Sequence, residues 1–269
     1  MKAGVLGSPI EHSLSPVLHN AGYRALGLDG WSYERHRVEA EDLAGFVAGL
    51  DGQWRGLSLT MPLKVACLAV ATEVTAMARR AGAGNTLARR PDGGWRADNT
   101  DVGGLMDAIG PAWQSGWQDA VVLGAGATAR SALLALEGLG ATRVTVHARR
   151  PEQVADLLDW AAAAELQVSV RPGVLAEWAT SGQPVVVSTL PPGAGAEEAL
   201  TRPRSGLLFD AVYADWPTPL ARGAATAGMQ VVGGFDLLVA QAARQFEQFT
   251  GLPAPTEAMR AAGRAVLDA

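Results

Sequence analysis

One cysteine, Cys67, stands in a chain of 269 residues, which excludes an intrachain disulfide and a cysteine zinc cluster. Histidine is also scarce. His12, His19, His36 and His147 are scattered without metal-ligand spacing, so no metal site is expected. A basic excess is missing as well: Lys and Arg number 22 against 27 Asp and Glu, for a net charge of −5. A dedicated nucleic-acid binder normally carries the opposite balance, so no nucleic-acid partner is expected. Long apolar runs are absent. The N-terminal stretch Ala3-Gly4-Val5-Leu6-Gly7 breaks at Ser8-Pro9, too short for a signal peptide or a membrane span, and it reads as a β-strand. With 48 % hydrophobic and 18 % charged residues, the expectation is a soluble cytoplasmic protein of one large or two ordinary domains.

Short apolar runs alternate with longer helical ones, the pattern of an α/β protein. Strands are expected at Ala3–Gly7, Trp31–Val38 and Gly56–Thr60, and helices from Ser15-Pro16, over Glu41–Leu50 and from Pro62. Ser15 before Pro16 reads as an N-cap followed by proline in the first turn. Asn85–Arg90 and Trp95–Asp98 flank Pro91-Asp92-Gly93-Gly94, a turn-rich loop that predicts a hairpin. A second set opens at Gln118–Leu123, with a helix over Thr128–Leu139, a strand at Arg143–His147 and a helix over Pro151–Ala164. Pro184–Ser188, Leu207–Phe209 and Gln230–Val232 read as later parallel strands, and Asp236–Phe249 and Thr256–Leu267 as closing helices. Two α/β lobes follow, with a boundary near residue 102.

Gly124-Ala125-Gly126-Ala127-Thr128-Ala129 fits G-x-G-x-x-G/A directly after an apolar strand and before a helix. Gly124 permits a tight turn, Gly126 lets the backbone approach a pyrophosphate, and Ala129 keeps helix and strand close. The helix N-terminus adds free N–H groups and the positive end of a dipole. The alternative, a plain tight turn, is common in an Ala- and Gly-rich chain. The next strand ends in Ala148-Arg149-Arg150, with no acid before Glu152. An NAD enzyme places Asp or Glu there for the ribose 2′-OH, whereas paired guanidinium groups suit a 2′-phosphate, so NADP is the expected cofactor.

Three polar stretches remain. In Ser13-Leu14-Ser15-Pro16, Ser15 reads as a helix cap, yet two spaced hydroxyls can also grip a ligand carboxylate. In Ser58-Leu59-Thr60-Met61-Pro62-Leu63-Lys64, a lysine in the first helical turn opposes the helix dipole, which makes sense if a carboxylate pairs with it. A surface lysine is the plainer alternative, and Cys67 reads as a small core residue. Asn85-Thr86 and Asp98-Asn99-Thr100-Asp101 are turn formers, but they gather polar groups beside the expected boundary, where ligand sites concentrate.

The ordered set Gly7-Ser8-Pro9-Ile10-Glu11-His12-Ser13-Leu14-Ser15-Pro16, Leu59-Thr60-Met61-Pro62-Leu63-Lys64, Gly84-Asn85-Thr86-Leu87, Asp98-Asn99-Thr100-Asp101 and the later Gln241-Ala242 resembles the shikimate dehydrogenase family along essentially the whole chain. The resemblance implies a substrate-binding domain from 1–101 plus 237–269 and a Rossmann NADP-binding domain at 102–236. It implies reversible reduction of 3-dehydroshikimate to shikimate, on the route to chorismate and the aromatic amino acids. By the same resemblance Lys64 and Asp101 are catalytic and Ser13 and Ser15 bind the substrate carboxylate. Thr60, Asn85, Asp101 and Gln241 would bind ring hydroxyls, and Tyr213 would face the substrate. Gly124, Ala125, Gly126, Ala127, Thr128, Arg149 and Arg150 would bind the cofactor. The expected partner is the small-molecule substrate alone, with no membrane and with the chain as a monomer or homodimer.

Five positions depart from the family's usual pattern. Ala127 replaces a third loop glycine, and Ala148-Arg149-Arg150 stands for Asn-Arg-Thr. Gly84 replaces a valine, which predicts a looser loop there, and Leu237 replaces a methionine. The rival readings are a quinate/shikimate dehydrogenase preferring NAD, which predicts the missing acid after the second cofactor strand, and a non-catalytic dinucleotide sensor, which would be free to lose Lys64 or Asp101.

Overall fold

The computed structural model describes residues 1–148, 156–157, 159–161, 166–172, 182–194 and 204–269. The chain divides into two compact units, one formed by Met1–Gly104 with Leu238–Ala269 and the other by Leu105–Leu237. Arg149, Arg150 and most of the helix expected over 151–164 lie outside the described residues.

In the first unit β1 (Lys2–Gly7), β2 (Ser32–Arg37), β3 (Trp54–Leu59), β4 (Glu73–Val74), β5 (Thr86–Arg89) and β6 (Trp95–Asp98) form one sheet. Its order is β2-β1-β3-β5-β6-β4. The β1 strand is parallel to β2 and β3, while β5 is antiparallel to β3 and β6, the latter pair being the expected hairpin. Helices α1 (Ser15–Ala25), α2 (Leu43–Ala48), α3 (Leu63–Val70) and α4 (Ala76–Ala81) connect these strands, and α5 (Thr100–Ile109) follows β6. Leu6, Leu57, Leu59, Leu63, Cys67, Leu87 and Trp95 share one buried cluster, so Cys67 is core.

The register decides where polar groups meet. Ser58 on β3 pairs with Thr86 on β5, and Thr86 pairs with Asp98 on β6. One line across the sheet therefore carries three short polar side chains. Over this region runs α8 (Gly234–Thr250), whose first-unit part begins at Leu238, followed by α9 (Thr256–Leu267).

The second unit contains β7 (Asp119–Leu123), α6 (Ala127–Gly138), β8 (Arg143–Ala148), β9 (Gln167–Pro172), β10 (Val185–Ser188), β11 (Leu207–Asp210), α7 (Pro219–Ala227) and β12 (Gln230–Gly233). The strands run parallel in the order β12-β11-β10-β7-β8-β9. Counted from β7, that is the 3-2-1-4-5-6 order of the doubly wound dinucleotide fold. Val121, Leu123, Val186 and Leu208 are fully buried, as near-continuous apolar strands covered on both faces should be.

Several elements escape the sequence reading. Thr100–Ile109 is a helix that runs through Gly103-Gly104, a pair that intrinsic helix propensity disfavours. A Cβ at Gly103 would stand 2.7 Å from the Arg244 guanidinium, so close packing outweighs propensity. The Thr218 cap, Pro219 and the left-handed Gly228 are good signals for α7 that the sequence reading passes over. Strands β4 and β9 and helix α4 escape it likewise. One expectation is corrected: Ser15 does not cap α1. Leu14 holds the cap position in helical geometry with no side-chain bond, and Ser15 is itself the first helical residue.

His19 on α1 is fully buried, stacked 4.1 Å from Tyr33, and neither ring nitrogen meets hydrogen-bond geometry. Burial lowers its pKa to about 3, the Gln245 side chain opposing weakly. The folded state thus keeps the ring neutral while the unfolded chain takes up a proton below pH 6.5. Stability present above that pH is lost as pH falls towards 3. Between about pH 8 and pH 5 this group alone should remove about 2 kcal/mol. Urea melts of the wild type and His19→Phe across that range should show a flatter pH dependence for the variant; equal slopes would contradict the assignment.

Candidate active site

Two helix N-termini of the first unit face each other. Lys64 lies in the first turn of α3, and Asp101 in the first turn of α5. Asp101 sits where a helix dipole favours a carboxylate, whereas Lys64 sits where it disfavours an ammonium. The lysine's carboxylate partner is Asp101: Nζ donates to Oδ2 at 2.6 Å, with the two side chains 17 % and 7 % exposed. A pair so short and so shielded is a charge-assisted contact, unlike a solvated surface bridge. The sequence reading treats Asp98–Asp101 as loop; Thr100 and Asp101 are instead helical. Asn99 caps that helix, its Oδ1 accepting from Val102 N at 3.3 Å while its Nδ2 donates to Ala83 O.

The second oxygen of Asp101 is held by Asn85. Asn85 Nδ2 donates to Asp101 Oδ1 at 2.9 Å and lies 3.3 Å from Gln241 Oε1. The amide cannot be turned round. Thr100 N, which can only donate, approaches Asn85 Oδ1 at 2.8 Å, and the hydroxyls of Thr86 and Thr100 donate to the same oxygen. Gln241 Nε2 is anchored on Leu238 O at 2.9 Å.

The other expected residues of the first unit have local contacts of their own. Thr60 follows β3 and bonds Leu6 O through its backbone. Ser13 Oγ accepts from Ser15 N at a long 3.4 Å, and Ser15 is buried. Gly84, in place of the looser loop expected, is tightly placed: a Cβ there would stand 2.9 Å from Cys67 Sγ and 3.0 Å from Asp98 O. The cysteine occupies the space, and burial pushes its thiol up to about 12, so it is inert as a nucleophile at neutral pH.

Two further glutamines of α8, Gln245 and Gln248, are not among the expected residues and lie outside the Lys64–Asp101 contact itself. Gln241, Gln245 and Gln248 recur at helical spacing on one face. Gln245 Nε2 donates to Asn85 O and Thr86 Oγ1, and Gln248 Nε2 donates to Asp98 Oδ2. A glutamine stripe on an otherwise amphipathic helix is the signal that could have found them.

In the second unit the glycine loop follows β7. Gly124 has φ +108, and a Cβ there would lie 2.5 Å from Thr189 Oγ1, which itself donates to Leu123 O. Gly126 is extended and has nothing within 4 Å of its would-be Cβ, and α6 begins without a side-chain cap. Ala129 is fully buried against the sheet. An open backbone cradle at an uncapped helix N-terminus fits a pyrophosphate. Ala125, Ala127 and Thr128 lie in this loop and first turn. Tyr213 follows β11, on a loop tied down by buried Asp210: Oδ1 accepts from Val212 N and Oδ2 from the Thr218 hydroxyl at 2.6 Å. Desolvation raises the Asp210 pKa, these bonds opposing. No helix among the described residues is long and apolar enough to cross a membrane.

Residues 5–87 match the family described as "Shikimate dehydrogenase substrate binding domain", and residues 234–262 match "Shikimate 5'-dehydrogenase C-terminal domain". A shikimate dehydrogenase (NADP(+)) of Caulobacter vibrioides is 38 % identical, aligned over 94 % of this chain and 90 % of its own. The crystal structure of Mycobacterium tuberculosis shikimate dehydrogenase is 45 % identical, with a TM-score of 0.87 over 98 % of this chain and 99 % of that one. The shikimate 5-dehydrogenase of Thermus thermophilus, solved in complex with NADP(H) and shikimate, is 31 % identical with a TM-score of 0.84, covering 99 % of this chain and all of its own.

Gly124→Ala should destabilise the second unit by about 1–3 kcal/mol through left-handed backbone strain, and should weaken dinucleotide binding. Thermal melts and a cofactor titration check both effects; wild-type values in each would remove the turn from the binding argument.

Proposed function

This chain belongs to the shikimate dehydrogenase family, and we propose that it catalyses the reversible NADPH-dependent reduction of 3-dehydroshikimate to shikimate. The observation that carries the reading is the shielded Lys64–Asp101 contact at 2.6 Å, with Asn85 and Gln241 fanned beside it. Turning a ketone into an alcohol takes a hydride at carbon and a proton at oxygen. Bound NADPH supplies the hydride. Lys64 as an ammonium donates the proton to the C3 oxygen and stabilises the charge developing there; in the oxidation of shikimate it takes the proton back. Asp101 holds Lys64 in place and accepts from a ring hydroxyl.

The remaining assignments follow the same chemistry. Ser13 and Ser15 donate to the substrate carboxylate, and Thr60, Asn85 and Gln241 read the ring hydroxyls. Tyr213, on the loop that Asp210 pins, is assigned to substrate binding by its likeness to the family. The first unit is thus the substrate domain and the second the NADP domain. Gly124, Ala125, Gly126, Ala127 and Thr128 hold the pyrophosphate, while Arg149 and Arg150 grip the 2′-phosphate. The retained Lys64–Asp101 pair speaks against a dinucleotide sensor, and the missing acid after β8 speaks against NAD.

Lys64→Ala should lower kcat by about 10²- to 10⁴-fold while shikimate still binds, as measured by steady-state kinetics and calorimetric titration. Unchanged turnover would refute the role. Rates with NADPH on 3-dehydroshikimate should exceed those with NADH, and shikimate should be preferred to quinate. Equal use of the two cofactors would overturn the NADP assignment.

A further inference from the structure

Behind Asn85 the polar contacts continue into the core. Tyr33 on β2 donates from its phenol to Ser58 Oγ at 2.5 Å, and Ser58 Oγ donates to Gln245 Oε1 at 2.6 Å. Gln245 Nε2 then donates to Asn85 O at 2.9 Å and to Thr86 Oγ1 at 3.0 Å. Thr86 donates onward to Asn85 Oδ1 at 2.9 Å, and Asn85 Nδ2 donates to Asp101. Ser58, Thr86, Asn85 and Gln245 are all buried, and Gln245 is completely so.

Every donor in this series points the same way. Asn85 O can only accept, which places Nε2 of Gln245 towards it and Oε1 towards Ser58. Ser58 has then committed its proton, so its oxygen receives the proton of Tyr33. Thr86 receives from Gln245, so its own proton goes to Asn85. The chain ends on the one anion within it, Asp101. Bonds aligned head to tail in a dry interior polarise one another, and an unmatched partner there is costly. None of these groups needs to reach substrate to matter.

We propose that Gln245 is a positioning residue: through Thr86 and Asn85 it fixes the orientation of the Asp101 carboxylate and hence of Lys64. The proposal rests on Lys64 and Asp101 being the proton-handling pair. Removing the Gln245 amide frees Thr86 Oγ1 to rotate and takes one of the two donors from Asn85 O, leaving it the backbone N–H of Leu59. The Asn85 amide then has less to hold it against Asp101. A purely structural role would cost stability; a positioning role costs turnover in the folded enzyme.

The test uses Gln245→Met, which keeps the length and volume but not the hydrogen bonds, with Thr86→Val, the double variant, and Gln248→Met. Gln248 reaches Asp98 from the same helix face and serves as the comparator. The expected result is a roughly tenfold loss of kcat for Gln245→Met and for Thr86→Val in fully folded protein, with KM moving less than about threefold. The double variant should be no more than about twofold worse than either single one, because both break one series. Gln248→Met should stay within about twofold of wild type. Side-chain amide exchange of Asn85, followed by NMR on the ligand-free protein, should accelerate at least about tenfold in Gln245→Met. Wild-type kcat in folded Gln245→Met, or multiplicative losses in the double variant, would overturn the proposal. If Gln245→Met does not fold, Ser58→Ala and Thr86→Val decide by the same criteria. Lys64→Ala runs in parallel. Normal turnover of that variant sinks the proton-pair reading, whereas slow Lys64→Ala with normal Gln245→Met sinks only the positioning role. The exchange measurement reports on Asn85 in either case.

Discussion

A carboxylate pinned at both oxygens organises the first unit. Asp101 takes an ammonium on one oxygen and an amide on the other. Burying a charge is tolerable only when it is paired and hydrogen-bonded, so each neighbour must itself be fixed. That requirement propagates outward. Asn85 has three donors on its oxygen, so its nitrogen has one direction left, towards Asp101 and Gln241. The polarity of one buried amide thus follows from a single backbone N–H, that of Thr100.

Secondary structure serves this centre through its ends and its register. Lys64 and Asp101 come from opposing helix starts, where side chains project beyond the backbone. The helix dipole favours one of them and opposes the other, and the contact between them outweighs the opposition. Strand register sets Ser58, Thr86 and Asp98 in line, and the glutamines of α8 span that line at helical spacing. The second unit uses a different device. There the loop after β7 relies on missing side chains, with Gly124 avoiding Thr189 and Gly126 leaving open space beside the backbone.

Aromatic and apolar packing gives the polar array its rigidity. His19 stacked on Tyr33 keeps the phenol at the start of the donor series, while Phe246 lies within ring-contact distance of His19 and Tyr23. The same helix α8 therefore delivers an apolar seal and a polar stripe. Cys67 fills the space that glycine leaves at position 84, so an apparent loss of packing is a transfer of volume from one residue to another.

Much of this was legible in the chain itself. The glycine loop after an apolar strand, the arginines in place of an acid, the hairpin turn and the anomalous lysine in a first turn are local signals, written in neighbouring residues. They determine the α/β class, the dinucleotide loop and the candidate pair. What stayed hidden depends on contacts between residues far apart in sequence. Helix α5 runs through Gly103-Gly104 because Arg244 packs against it, Ser15 enters the helix instead of capping it, and Gln245 looks like any helical glutamine until Ser58 and Thr86 stand beside it. Propensity and spacing act over a few residues and can be read directly; the direction of a buried amide is set by partners that only folding brings within hydrogen-bond reach, and that the tertiary structure alone decided.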